Sequence, residues 1–200
     1  MQADERVWDL LAGLDPQDVG SRSLAEYSAS DEIYTVRFFG RPIVVDLRRR
    51  TVRGADADSD LILKKLAYFS QLTILHYLIR AQAIPLAERL VRPLDLQGGH
   101  ALFRGAHTLP LRELAERYAR DSEGFVRQAM RFGGSRQAYG DVAVEIVALP
   151  RLPVTFILWL ADDEFAARAD LLFDATCERH VPADVLWSIA TLAAKVMMLG

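Results

Sequence analysis

The densest group of chemically versatile side chains lies late in the chain: Trp159, Asp162, Asp163, Glu164 and Asp174, with Arg151 shortly before them. Carboxylates at that density can bind a hard cation through oxygen, exchange protons, or pair with Arg151 and Arg168. Asp162 and Asp163 fit a solvated turn in which an aspartate caps the next helix. Glu164 and Asp174 are expected to face inward, because Phe165 and Phe173 flank them.

A second group sits in a glycine-rich stretch, Gln97-Gly98-Gly99-His100-Ala101-Leu102-Phe103-Arg104-Gly105-Ala106-His107. Imidazole can ligate a metal or haem iron, and a guanidinium can pair with a propionate or phosphate. Glycines allow a flat ligand to approach the backbone. Two histidines with no third ligand nearby are thin spacing for a metal site, and a histidine hydrogen-bonded to its own loop is the commoner arrangement. The expected pocket has His107 and Arg104 on one edge and Trp159, Arg151, Glu164 and Asp174 on the other. His107 and Glu164 are its candidate metal ligands.

The remaining candidates are weaker. His76 lies inside an apolar helical run and reads as a core histidine; His180 reads as a loop residue ahead of Pro182. Cys177 has Glu178 and His180 close in sequence, but a thiol nucleophile needs a paired base and an orienting group. The pairs Gly98-Gly99 and Gly133-Gly134 match neither a P-loop nor a dinucleotide fingerprint, and there is no G-x-S-x-G or H-E-x-x-H. Arg48-Arg49-Arg50 is short and followed by Asp56, Asp58 and Asp60, which suits a solvated turn better than a nucleic-acid contact.

Several elements must position these groups. Residues 6–14 show helical spacing that Asp15-Pro16 ends, and a polar stretch continues to Asp31. Strands are expected over 33–39 and 43–47, with a short third at 51–53 closing a meander. A long buried helix should come next over about 60–82, capped by Asp58 or Ser59, then a short amphipathic helix over about 84–93. One helix is expected from Pro110 to Tyr118 or Arg120, and a second from about Ser122 to Phe132, capped by Asp121 or Ser122 and ended by Gly133-Gly134. Strands at 141–149 and 154–160 flank Pro150-Arg151-Leu152-Pro153, the second so apolar that it should be central. A helix begins at Pro182.

The fold class is therefore α+β: two β-hairpin-plus-long-helix units, about 33–82 and 142–199, joined by a short helical segment. Residues 1–30 form an N-terminal helix and linker, and 31–200 a single α+β domain with lobes of about 31–95 and 96–200. A diverged duplication would explain the likeness of the halves; so would the frequency of hairpin-then-helix units.

Composition sets the outer limits. The 200 residues are 51% apolar and 26% charged, with a formal charge of -3, which excludes a disordered chain. One cysteine cannot form an internal disulfide or hold a cluster alone, and fits a reducing compartment. No apolar run reaches a membrane span, so a cytoplasmic, soluble protein is expected. Of 24 basic residues 21 are arginine, yet the balance is too acidic for a general nucleic-acid binder.

Gly105-Ala106-His107, Gly133-Gly134, Asp141, Leu149-Pro150-Arg151-Leu152-Pro153, Leu158-Trp159, Asp162-Asp163-Glu164-Phe165 and Leu172-Phe173-Asp174 together resemble an uncharacterised family. It is a domain of unknown function found mainly in anaerobic bacteria and archaea. The likeness covers about residues 30–200. Some members carry a Cys-rich iron–sulfur segment ahead of the domain; this chain shows none, so no cluster in cis is expected. The resemblance implies work near redox cofactors. The leading expectation is a non-catalytic cofactor- or metal-binding accessory protein of anaerobic redox metabolism, holding a tetrapyrrole (haem or corrinoid) and serving a corrinoid, haem or other redox protein. The alternatives are a metal-assisted hydrolase using the acidic cluster, and an interaction subunit, which could be homodimeric, docking through the C-terminal helix with Trp187, Met197 and Met198.

Overall fold

The structure is a computed structural model and describes residues 5–66, 68–103, 105 and 108–199. The chain opens with α1 (Glu5–Ala12), which buries Trp8 and Leu11, and α2 (Pro16–Ser23). Pro16 begins a helix here as well as ending one. It occupies the first turn of α2, where no amide is needed, and Asp15 accepts from the Gln17 amide as its cap.

The first sheet is antiparallel in the order β1 (Glu26–Ser28), β2 (Ile33–Phe38), β3 (Arg41–Asp46), β4 (Thr51–Gly54). The expected meander is thus present, with one further strand, β1, in the stretch that read as polar. The long helix expected next is found as α3 (Ala57–Leu66) and α4 (Tyr68–Arg80). It starts earlier than the sequence pattern suggested because Asp56 caps it, accepting from the Ser59 amide at 2.8 Å and the Ser59 hydroxyl at 2.7 Å.

Residues 82–89 are not the amphipathic helix expected there. They run without regular structure into β5 (Leu90–Val91), which joins the second sheet. A segment this short has little helical stability of its own. Its backbone finds better partners outside: the Ile84 carbonyl accepts from Arg151, the Ala87 amide donates to Asp174, and the Arg89 carbonyl accepts from Ala175. A 3-10 turn (Pro93–Asp95) comes next, then α5 (Gly99–Leu102), α6 (Leu111–Tyr118) and α7 (Ser122–Arg131), with Asp121 capping α7 as expected.

The second sheet is also antiparallel. Its strands are β6 (Ser135–Gln137), β7 (Val142–Leu149), β8 (Leu152–Trp159) and β9 (Arg168–Asp174), in the order β5-β9-β8-β7-β6. β8 is central and buried along most of its length, as its almost wholly apolar run suggests. The short helix α8 (Cys177–His180) leads to α9 (Ala183–Met197), whose buried stripe packs with α6 and α7 on the inner face of this sheet and against α4. The first sheet has four strands and the second five, and β9 separates the second hairpin from its helix.

One apolar cluster runs through both sheets, from Phe38 and Ile43 to Phe156 and Phe173. The sheets also touch through the backbone. A register irregularity between Val147 and Leu149 sets Ala148 out of the β7–β8 ladder, and its carbonyl accepts the Phe39 amide at 3.0 Å. Gly40 at that junction has φ +72°, and a Cβ there would run into the Phe132 carbonyl at the end of α7. No described helix is long and apolar enough to cross a membrane.

Candidate functional site

The second sheet decides where the expected site residues go. β9 covers seven residues, so its ends lie about 20 Å apart. Trp159 pairs with Arg168 at one end, and the loop bearing Glu164 continues from there. Arg151, in the β7–β8 turn, and Asp174 belong to the other end. The structure therefore brings Trp159 near Glu164, and Arg151 near Asp174, but holds the two pairs apart.

Glu164 is exposed, not inward. The inference from its aromatic neighbour does not hold because Phe165 is 68% exposed and forms no wall. Asp162 Oδ1 accepts the Glu164 and Phe165 amides at 2.9 and 2.7 Å, making the loop a tight turn; these bonds hold the Asp162 carboxyl below its usual range. The Trp159 ring is covered by the Arg168 guanidinium, 3.8 Å from its centroid.

Asp174 is buried, as expected. Burial alone would raise its carboxyl, but hydrogen bonds from Thr176, Ala87 and Glu88 outweigh that and keep it below the ordinary value. The Arg151 guanidinium donates to the Arg22 carbonyl at 2.6 Å and the Ile84 carbonyl at 3.1 Å, so it is engaged within the fold.

Cys177 is buried, and burial followed by the Glu178 charge pushes its thiol up to about 12, the opposite of an activated nucleophile. His76 is half-buried and depressed by burial, in keeping with a core histidine. His180 is not a loop residue: it ends α8 with no exposed surface. His100 is exposed in α5. Arg104 and His107 lie outside the described residues. Among the described residues no three of His, Cys, Asp and Glu come together as a metal site.

The chain on either side of Arg104 and His107 does build a cavity. Phe103 and Thr108 line a space of about 310 Å³ together with Leu109, Leu111, Pro93, Leu94 and, from the open edge of β9, Asp170 and Leu171. Its walls are mainly apolar, and two arginines stand at the rim. Arg92 forms a bidentate pair with Asp95 at 2.9 and 3.1 Å, through Nε and Nη2. Arg112 pairs with Glu116 at 2.8 Å. Bonding to Arg92 holds the Asp95 carboxyl below its usual range, so the pair is ionised and the guanidinium is oriented. The glycine-rich segment therefore meets β9 near its middle, between the Glu164 end and the Asp174 end.

Local sequence explains this cavity. Gly99 is pressed against the Pro93 carbonyl and Leu94, so α5 packs on the 3-10 turn only without a side chain there. Gly99→Ala would force the two apart and is expected to lower Tm by about 5 °C in a thermal melt; an unchanged melt would show that the turn yields freely. Sequence reasoning missed Arg92, Arg112, Asp170 and Leu171. The alternation Leu171, Phe173 could have disclosed β9. Nothing distinguishes Arg92 or Arg112 from the other exposed arginines of an arginine-rich chain.

A family model described as a domain of unknown function, DUF3786, matches residues 15–196. The chain belongs to that family. The match takes in both sheets, the glycine-rich segment and nearly all of α9, so the DUF3786 domain here includes β1 and α2 as well as the part that carried the resemblance. No curated protein and no solved structure is detectably similar to the chain.

Proposed function

We propose that this DUF3786 protein is a non-catalytic binding protein for a flat, largely apolar ligand that carries acid groups, of the tetrapyrrole class. The observation that carries the reading is the apolar cavity beside the glycine-rich segment, with oriented guanidiniums at its mouth. Its volume is at the lower end for ligand sites. A space of that size takes one edge of a macrocycle and leaves the rest to lie over the surface. Arg92 spends Nε and Nη2 on Asp95, which leaves Nη1 to pair with a ligand carboxylate. Arg104 and His107 stand between Phe103 and Thr108 in the sequence, and in this reading they would supply a further acid contact and an imidazole ligand. The resemblance to proteins of anaerobes with iron–sulfur segments favours a role in delivering or sensing such a cofactor for a redox partner.

Spectrophotometric titration with haem and with a corrinoid tests this. One of them is expected to give a saturable shift, abolished in His107→Ala and weakened about tenfold in Arg92→Ala. Unchanged spectra with both would overturn the proposal. The acidic loop offers less to a hydrolase reading, because Asp162 is committed to backbone amides and Glu164 is exposed to solvent.

A further inference from the structure

The outer face of the second sheet carries a different cavity. Strand register places Glu145 of β7 directly opposite Thr155 of β8, and both point to the side away from α9. Asp174 reaches the same space from the end of β9. The irregular segment before β5 supplies Leu86 and Glu88, and Tyr139 closes the far side, leaving a volume of about 180 Å³. Although the chain has 24 basic residues, among the described residues no lysine, arginine or histidine lines this cavity.

Two side chains there are left without partners. Thr155 is 2% exposed, and among the described residues its hydroxyl makes no hydrogen bond, so the little surface it keeps faces the cavity with its bonding capacity unused. The half-buried Glu145 carboxyl likewise has neither a hydrogen bond nor an ion pair among the described residues. Burial, and then the charge of Asp174, raise it. A carboxylate desolvated beside a second carboxylate, with no cation from the described residues, is costly unless something else brings the charge. Asp174 stays ionised next to it, and the bonds from Ala87 and Thr176 all fall on Oδ1. Glu88 adds a third carboxylate at the rim, on a backbone with φ +55° that a non-glycine residue seldom adopts.

We propose that this cavity binds a primary alkylammonium group. An ammonium has three donors, and Glu145, Asp174 and Thr155 present acceptors for them on one wall. Leu86 and Pro153 flank the acceptors with apolar surface suited to a methylene stem. At about 30 Å³ per small group the volume admits about six non-hydrogen atoms, the size of an aminopentyl chain. That chemistry is shared by a free diamine and by a lysine side chain of a partner.

The test uses the full chain, isotopically labelled, with amide spectra followed on titration. Cadaverine represents the free amine, Nα-acetyl-lysine amide the side chain, and 1-pentanol an uncharged control. Saturable shifts at residues 145, 155 and 174 with either cation, and none with pentanol, are expected. Shifts with both cations or with cadaverine alone assign a free amine, and shifts with the lysine derivative alone assign a partner side chain. Glu145→Gln, which keeps the shape, is expected to weaken binding about tenfold or more. Thr155→Val should weaken it by a smaller factor. No saturable shift, equal binding of pentanol, or undiminished binding by Glu145→Gln overturns the proposal.

Discussion

Replacing Arg151 with methionine is expected to lower the free energy of unfolding by about 3 kcal/mol, the scale of two hydrogen bonds to a charged donor in a partly solvated setting. The residue sits in the β7–β8 turn, yet its contacts reach three other parts of the chain. Its Nε donates to the Arg22 carbonyl at the end of α2, and Nη1 to the Ile84 carbonyl ahead of β5. Its backbone amide donates to the Tyr77 hydroxyl, which in turn donates to the Ser23 carbonyl. Arg22 adds a bond to the Ala81 carbonyl just past α4. Methionine keeps the stem and loses every side-chain donor, leaving two carbonyls to water or to nothing. Urea unfolding measures the change, and Arg151→Lys should recover only part of it, because one ammonium cannot reproduce the planar fork. A loss below about 1 kcal/mol would mean the guanidinium is ornamental to the fold.

The second large effect is loss of stability in acid through His180. Its ring has no exposed surface. Nδ1 accepts the Gln82 amide at 3.3 Å, so the neutral ring carries its proton on Nε2, which has no partner among the described residues. Burial, and next the charge of Arg151, push the imidazole down to about 4, against a smaller opposing pull from Asp174. The folded protein thus binds this proton less readily than the unfolded chain, whose histidine titrates near 6.5. Stability from this source is complete above pH ~6.5 and is lost as pH falls toward 4, up to about 3 kcal/mol. The carboxyl of Asp174, held low despite its burial, gives a loss of the same sign at lower pH. Urea midpoints measured from neutral pH to pH 4 are expected to fall in the wild type and to fall less steeply in His180→Gln. Parallel curves would remove His180 as the cause. The two predictions interact, since Arg151→Met takes away a charge that depresses the imidazole and should itself flatten the acid limb.

These two residues also show where reading the sequence stops. Arg151 was legible as a residue set in a proline turn, but the carbonyls it serves belong to Arg22 and Ile84, far away along the chain. His180 precedes Val181-Pro182 and looks like loop, and only the packing of α8 against α4 and α9 makes it an interior group. Glu164 and Asp174 carry the same local signal, an aromatic next to a carboxylate, and end oppositely. Phe173 alternates into the core on β9, which turns Asp174 to the outer face, where it is buried. Phe165 has no strand to hold it and stays in solvent.

Periodicity and capping chemistry, which act over a few residues, were enough to determine the α+β class, both hairpins, the central position of β8 and the helices behind Pro110, Asp121 and Pro182. They also marked the glycine-rich segment as a place where backbone comes close to something. Tertiary structure alone decided that residues 82–91 would be drawn out along β9 instead of coiling, because the partners of their backbone groups sit on Arg151 and Asp174. It alone placed Glu145, Thr155 and Asp174 around one cavity, since cross-strand register joins residues that no local pattern can relate.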